Sequence, residues 1–172
     1  MKKYVLTLCI LLTVASLRSF AQKLEEDKKD DFSNKSVKRT SWETLYKTLS
    51  TESHFSFSKV DSSAFINVKL MIGKVFSIEK NQELMFKLDN GDIVKLACLE
   101  YQVTCNGCGA VGLIGRQAEG LNAAYWLSKD QLDKLKTHKV VKVRINTIYG
   151  YIDEDVKEKN ANKIMACVNL IS

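Results

Sequence analysis

Apolar and polar residues alternate through the middle of the chain, and this pattern predicts strands. Phe55 and Phe57 alternate with serines, and apolar residues recur at every second position from Ile66 to Ile72. A period of two places successive side chains on opposite faces of a sheet, so that one face of each strand can be buried. The β-branched residues of segment 140–147 predict a further strand.

An Asn-Gly pair marks the clearest turn in the sequence. Asn90 and Gly91 lie between two runs with strand character, at 83–88 and 93–101. Asn and Gly tolerate the positive φ angles of a tight hairpin turn. The two runs are therefore predicted to pair as antiparallel strands, and a shorter strand is predicted at 124–127.

Helical spacing occurs at three places. Thr40 with Glu43, and Ser128 with Gln131, have the spacing of a capping box at a helix start. The C-terminal segment 160–171 fits both a helical stripe and a strand face, and the asparagine that could cap it favours the helix. The apolar stripe of the first predicted helix consists of Trp42, Leu45, Tyr46 and Leu49.

The chain divides into three segments by composition. Residues 1–21 combine a positive start, an apolar stretch and small residues before position 22, which is typical of a cleavable export signal. Residues 22–39 are charged with few apolar side chains, which predicts a mobile tether. Residues 40–172 have an ordinary domain length and are predicted to form one α+β domain, mainly an antiparallel sheet with two or three helices.

The export signal implies a periplasmic or secreted protein. Arg18 ends the apolar stretch Tyr4–Leu17, which is shorter than the roughly 20 residues that a membrane-spanning helix needs. A lipid anchor would require a cysteine at the end of this stretch, whereas Cys9 lies in its middle. We therefore expect no transmembrane span in the mature chain.

Removal of the signal changes the charge of the chain. Loss of Lys2, Lys3 and Arg18 lowers the formal net charge from +6 to +3, and the remaining basic and acidic residues are interspersed. Lys142 and Arg144 belong to the one local concentration of basic residues, on what strand alternation predicts to be an exposed face. Nucleic-acid binding needs clustered basic side chains, so we expect no nucleic-acid partner.

The segment 105–120 is the leading candidate site. It holds five of the eight glycines, which predicts a long irregular loop, and such loops in compact domains are often functional. The spacing Gly-x-Gly-x-x-Gly occurs here without a following helix, and the Lys-Ser/Thr ending of a phosphate loop is missing, so no cofactor is predicted. The candidate binding residues are Gly107, Gly109, Gly112, Arg116, Tyr125 and Trp126.

Four of the five cysteines remain after the signal is removed. In an oxidising compartment an even number favours disulfides. Cys105 with Cys108 is one pairing, which leaves Cys98 to join Cys167, and the two crossed pairings remain open. The C-x-x-C spacing also occurs in thiol redox sites and zinc sites, but the loop lacks a helix start and the second half of a zinc motif.

Other reactive side chains do not form a recognisable catalytic set. His54 lies near a strand, His138 ends a lysine-rich helix, and no nucleophile elbow is present. Asp89 and Asp92 are predicted to form a turn, and the acidic run 153–155 is predicted to be a solvated turn. We therefore predict neither a catalytic residue nor a metal ligand.

These patterns favour a non-enzymatic exported domain. The hypothesis is a binding or interaction module that uses the loop 105–120 for a protein, saccharide or small-molecule ligand in the envelope. The alternative is a thiol redox or zinc-binding protein that uses Cys105 and Cys108.

Overall fold

The structure, a computed structural model, describes residues 22–172, and the predicted export signal lies outside the described residues. The described part contains thirteen strands and two helices. The strands are β1 (Leu24–Lys29), β2 (Ser36–Thr40), β3 (Glu43–Lys47), β4 (Glu52–Val60), β5 (Ser63–Met71), β6 (Ser77–Ile78), β7 (Glu83–Leu88), β8 (Ile93–Ala97), β9 (Gln102–Val103), β10 (Cys105–Asn106), β11 (Glu119–Leu127), β12 (Val140–Thr147) and β13 (Gly150–Asp155). The helices are α1 (Lys129–Thr137) and α2 (Glu158–Ile171).

Most strands belong to two antiparallel sheets. The larger sheet has the order β1-β2-β4-β5-β11-β10, with β3 also paired to β4, and the smaller has the order β13-β12-β7-β8. β6 and β9 form a separate two-stranded ribbon. The described residues thus form a single small domain, mostly antiparallel sheet with two helices. It is mainly β and not the clear α+β mixture that the sequence predicts.

The inward faces of both sheets and one face of α2 share one apolar core. Phe55 and Phe57 of β4 are fully buried, and their ring centroids lie 5.7 Å apart in an edge-to-face arrangement. Burial of a side chain of this size contributes roughly 1.5–3 kcal/mol. The core also contains Ile66, Val68, Leu121, Ala123 and Tyr125 of the larger sheet, Leu84, Phe86, Leu96, Val143 and Ile145 of the smaller sheet, and Ile164, Cys167, Val168 and Ile171 of α2.

The helix predicted over 40–49 is wrong, because this segment forms strands. β2 ends at Thr40 and β3 spans Glu43–Lys47, and both pair with β4. Thr40 Oγ1 accepts a hydrogen bond from the Phe57 amide at 2.9 Å. This bond gives a partner to a backbone amide of β4 that lies between its pairing with β2 and its pairing with β3. A ten-residue helix is marginal alone, whereas the edge of β4 supplies backbone partners. Of the predicted stripe, Leu45 and Tyr46 are buried, Trp42 is half-buried and Leu49 is exposed.

Residues 22–39, for which the sequence predicts a mobile tether, contain two paired strands. β1 and β2 are antiparallel from Leu24 opposite Thr40 to Lys29 opposite Ser36, and β2 continues the larger sheet beyond β4. Backbone N–H and C=O groups form such a ladder whatever the side chains are, so a charged composition does not exclude it. Most side chains of these strands remain exposed.

The predicted hairpin is confirmed as β7 and β8, which are antiparallel neighbours. Gly91 in its turn has a φ of +91°, and Asn90 Oδ1 accepts a hydrogen bond from the Asp92 amide at 3.0 Å. β12 has the bounds that the β-branched run predicts, whereas β11 begins at Glu119, several residues earlier than predicted.

Both later helices are confirmed. Ser128 Oγ accepts from the Gln131 amide at 3.2 Å and Gln131 Oε1 accepts from the Ser128 amide at 2.8 Å, which completes the capping box of α1. The N-cap of α2 is Lys157, not Asn160. Asn160 is buried, and its Nδ2 donates to the Leu45 carbonyl at 3.1 Å, which joins α2 to β3. Neither helix within residues 22–172 has the length and apolar composition needed to cross a membrane.

Candidate functional site

A disulfide joins Cys105 and Cys108, whose Cα atoms lie 5.3 Å apart. Cys105 belongs to β10 and pairs with Gly120 of β11. Two backbone hydrogen bonds close the turn: the Cys108 amide donates to the Cys105 carbonyl at 3.2 Å, and the Gly107 amide donates to the Ala118 carbonyl at 2.9 Å. The disulfide turn is therefore attached to the edge of the larger sheet.

Cys98 and Cys167 are free and buried, so the predicted bond between them is wrong. Cys98 follows β8 beside Tyr125 of β11, whereas α2, which carries Cys167, packs on α1 and on β2, β3 and β4. The Cys98 thiol donates to the Glu100 carbonyl at 3.1 Å. Burial raises the pKa of both thiols, to about 11 for Cys167, so both stay protonated at neutral pH.

The glycines of the loop have packing and turn-forming roles. A Cβ on Gly109 would lie 2.6 Å from the Leu70 carbonyl oxygen, and one on Gly120 would lie 2.5 Å from the same atom. Gly107 and Gly112 have φ angles of +75° and +61°, in the left-handed region that favours glycine. The glycine-rich composition thus lets the loop lie directly on the end of β5.

Lys69 of β5 contacts both this loop and Trp42, which lies between β2 and β3. Its Nζ donates to the Ala110 carbonyl at 2.6 Å and lies 4.4 Å from the centre of the Trp42 ring. Burial lowers the pKa of Lys69, and Glu25 opposes this shift. The ammonium group of this partly buried residue is therefore paired with a carbonyl and an aromatic face of the protein.

An open depression lies between the outer face of the larger sheet and the disulfide turn. Its volume is about 440 Å³. It contains three amide side chains, the disulfide and two small apolar residues, and none of its lining residues is charged. The lining residues are Asn67, Gln102, Val103, Cys105, Cys108, Asn122 and Ala124.

The register of β5 and β11 places aromatic residues beside this depression. Ala124 is opposite Asn67, and Trp126 is opposite Phe65. Because side chains alternate along a strand, Asn122, Ala124 and Trp126 share the outer face. The Trp126 side chain is 49% exposed and forms one end of the surface. We call Asn67, Gln102, Asn122, Ala124 and Trp126 the amide face.

Two residues of the predicted site lie elsewhere. Tyr125 is fully buried on the core side of β11, and burial raises the pKa of its hydroxyl, so it is not available to a surface ligand. Arg116 is exposed at the tip of the loop, where its Nε donates to the Gly112 carbonyl at 3.0 Å, and it does not line the depression. Trp126 is the predicted binding side chain that lies exposed on the outer face of β11, two residues beyond Ala124 of the depression.

The amides of the amide face differ in how they are held. Asn67 Nδ2 donates to Ser58 Oγ at 3.1 Å, which fixes the orientation of this side chain. Within residues 22–172, the side chains of Gln102 and Asn122 make no hydrogen bond to another protein group. These two amides offer both donors and acceptors to solvent or to a ligand.

The two histidines lie on separate elements, His54 in β4 and His138 at the end of α1. His54 is buried, and its Nε2 lies 3.1 Å from Glu52 Oε1 without hydrogen-bond geometry. Burial lowers the pKa of His54, although Glu52 opposes the shift. His138 ends α1, with Nδ1 3.2 Å from Asp89 Oδ1. Among the described residues, no group of three His, Cys, Asp or Glu side chains is placed to hold a metal ion.

The basic residues of β12 are paired with acidic residues of β13. Arg144 forms a two-pronged ion pair with Asp153, with both N–O distances 2.6 Å, and its guanidinium lies 4.0 Å from the centre of the Tyr151 ring. Lys142 lies 3.6 Å from Asp155. The acidic run predicted as a solvated turn is thus part of a strand, and Arg144 lowers the pKa of Asp153.

Sequence reasoning missed the amide face. Asn67, Gln102 and Asn122 come from β5, β9 and β11, and only the sheet register brings them together. The alternation across 119–127 was the available signal, because it places Asn122, Ala124 and Trp126 on one face.

Comparison with known proteins gives no relative: the chain matches no protein-family model, and neither a curated protein nor a solved structure is significantly similar to it.

Proposed function

We propose that this chain is an exported, non-enzymatic binding module whose ligand occupies the amide face. The observation that carries the proposal is a depression beside the disulfide turn that is lined by three uncharged amides, two of which make no hydrogen bond within residues 22–172, with the half-exposed Trp126 farther along the same face of β11. Polar side chains placed on a regular sheet keep their positions with little ordering on binding.

The support for this surface is rigid. β5 and β11 are paired along their whole lengths, from Ala64 opposite Leu127 to Met71 opposite Gly120. Lys69 holds the loop through the Ala110 carbonyl, and the disulfide closes the opposite wall. A preformed surface loses less conformational entropy when a ligand binds than a mobile loop would.

Export is part of the proposal and depends on the first 21 residues. Their positive start, apolar stretch and small residues before position 22 are typical of a cleavable signal. A disulfide between Cys105 and Cys108 fits an oxidising compartment, whether periplasmic or extracellular.

A thermal-shift screen tests the binding proposal without assuming the ligand. Purified mature chain is heated with separate probes: neutral oligosaccharides, neutral and charged peptides, nucleotides and small carboxylates. A ligand that binds the folded state stabilises it by about 2.7 kcal/mol at one hundred times its Kd, which raises Tm. We expect at least one class to do so.

Two arginine variants locate the binding. Ala124→Arg fills the floor of the depression, whereas Ala97→Arg adds the same side chain at an exposed position of the smaller sheet. The stabilisation should disappear in the first variant and persist in the second. Equal stabilisation of both variants, or none by any probe, contradicts the proposal.

A thiol redox or zinc-binding function is the second candidate, because Cys105 is exposed and Cys108 is partly exposed. However, β10 is a strand, and the helix N-terminus that stabilises a reactive thiolate is absent from this part of the described chain. Metal analysis and the disulfide reduction potential test this candidate. Stoichiometric zinc, or a potential near those of redox enzymes, would favour it over the binding module.

A further inference from the structure

We infer that the ligand of the amide face is a neutral saccharide. This inference rests on the proposed function and adds the chemical class of the ligand. Three features of the surface support it: the lining residues are uncharged, two of the amides make no hydrogen bond within residues 22–172, and Trp126 lies exposed on the same strand face.

The charge of the surface excludes the ligands that depend on ion pairs. None of the residues that line the depression is acidic, basic or a histidine. The nearest basic residue in the register is Lys69, opposite Asn122, and its ammonium group is bound to the Ala110 carbonyl and lies over Trp42. A nucleotide or an acidic peptide would therefore meet no free cation here.

The amides match the hydrogen-bonding pattern of sugar hydroxyls. A hydroxyl group donates one hydrogen bond and accepts two, and an amide side chain offers both a donor group and an acceptor. Gln102 and Asn122 have both functions free, while Asn67 is oriented by its hydrogen bond to Ser58. Neighbouring hydroxyls on one sugar ring can thus be paired without any charged group.

Trp126 supplies a surface for the apolar side of a sugar ring. It is two residues from Ala124 and four from Asn122 on the same face of β11, so it follows them at intervals of about 7 Å. The small Ala124 side chain leaves space between the indole and the amides. An indole buries a large apolar area against a flat ligand while its N–H remains available for a hydrogen bond.

A peptide is the competing ligand, and the surface suits it less. Addition of a peptide strand needs a long free edge, whereas the edge of β11 beside the depression is interrupted by β10 at Glu119 and Gly120 and by the bridge from Cys98 to Tyr125. Anchoring of large apolar side chains needs an apolar pocket, whereas three of the seven residues that line the depression are amides and its apolar residues, Val103 and Ala124, are small. An extended oligosaccharide needs neither.

The test is titration of the purified mature chain with a series of neutral oligosaccharides, including a glucose heptamer and an N-acetylglucosamine tetramer, by calorimetry. We expect one of these sugars to bind, with a Kd that changes less than about twofold between low and high salt, because neither partner is charged at the contact. Trp126→Ala and Asn122→Asp should each weaken binding by about tenfold or more.

Matched variants control for general effects on the surface. Tyr149→Ala removes an aromatic side chain that is 79% exposed in the turn between β12 and β13, and Asn162→Asp makes the same amide-to-acid change on the exposed side of α2. Both should bind the sugar like the wild type. All four variants should keep the wild-type circular dichroism spectrum.

The outcomes separate the two proposals. If a peptide binds the amide face and no neutral sugar does, the saccharide inference is wrong while the binding module stands. If no probe of any class binds this face, both are wrong. A sugar that binds equally well to Trp126→Ala and Asn122→Asp also overturns the inference.

Discussion

Single glycines place the disulfide loop against the sheet, so their replacement is expected to be costly. A methyl group on Gly109 would press on the Leu70 carbonyl, which belongs to the backbone of β5 and cannot move alone. Gly109→Ala should lower the free energy of unfolding by about 1–3 kcal/mol, measured by urea denaturation. The control is Gly73→Asn, since Gly73 has a φ of +64° with open space around it and asparagine tolerates that conformation. Equal losses in both variants would contradict this account of the loop.

The Thr40 side chain hydrogen-bonds the backbone of β4 at the point between the part of β4 that pairs with β2 and the part that pairs with β3. Its hydroxyl is fully buried and accepts the Phe57 amide. Thr40→Val keeps the side-chain shape but leaves that amide without a partner, which should cost about 1–3 kcal/mol of unfolding free energy. Thr40→Ser retains the hydroxyl and should cost clearly less. If the Thr40→Val variant is as stable as the Thr40→Ser variant, the hydrogen bond from the Phe57 amide to Thr40 does not stabilise the fold.

His54 should make the stability depend on pH. Its ordinary pKa is 6.5, and burial lowers the pKa in the folded state. The unfolded chain therefore takes up a proton first, so the contribution of neutral His54 is complete above pH 6.5 and is lost as pH falls below it. The unfolding free energy should decrease by up to about 1.4 kcal/mol per pH unit in this window. His54→Gln should remove that part of the slope, and an unchanged slope would contradict the assignment.

At the scale of elements, short sequence motifs correctly predicted the helix cap and the hairpin turn, whose hydrogen-bond partners are close in sequence. The capping box at Ser128 and the turn at Asn90 and Gly91 were recognisable because their partners are a few residues apart. The same spacing at Thr40 predicted a helix wrongly, because β3 pairs with β4 as a hairpin, with Lys47 opposite Glu52, and β2 pairs with the far end of β4, with Val37 opposite Val60. The capping-box pattern in a short window of sequence does not register this backbone pairing.

The capping box gives a prediction for α1. Ser128→Ala removes the acceptor for the Gln131 amide and should lower the unfolding free energy by about 1 kcal/mol. Ser128→Asp keeps an acceptor at the cap and should stay close to the wild type. Thermal or urea denaturation measures both, and equal destabilisation by both substitutions would show that the cap is unimportant.

At the scale of the whole molecule, the disulfide should contribute modestly to stability. It closes a loop of only a few residues, so the chain-entropy relation gives about 2 kcal/mol. The double variant Cys105→Ser, Cys108→Ser should lose this amount relative to the oxidised wild type. A reducing agent should destabilise the wild type by the same amount and leave the double variant unchanged. A reducing agent that affects both proteins equally would contradict this role.

The candidate site was predicted only in outline. The sequence pointed to the cysteine- and glycine-rich loop and to Trp126, which lie beside the depression. The sequence prediction wrongly included Tyr125, which is buried. The sequence does not show which face of this strand is covered by the rest of the protein. It missed Asn67 and Gln102, because their approach to β11 depends on the register and on the path of the chain after β8.

The most direct test of the central claim is a chemical-shift map of the mature chain, labelled with ¹⁵N, during titration with the ligand class that the thermal-shift screen identifies. We expect the side-chain amides of Asn67, Gln102 and Asn122 and the indole N–H of Trp126 to shift together with one Kd. Shifts confined to other surfaces, with these four side chains unchanged at saturation, would contradict the claim.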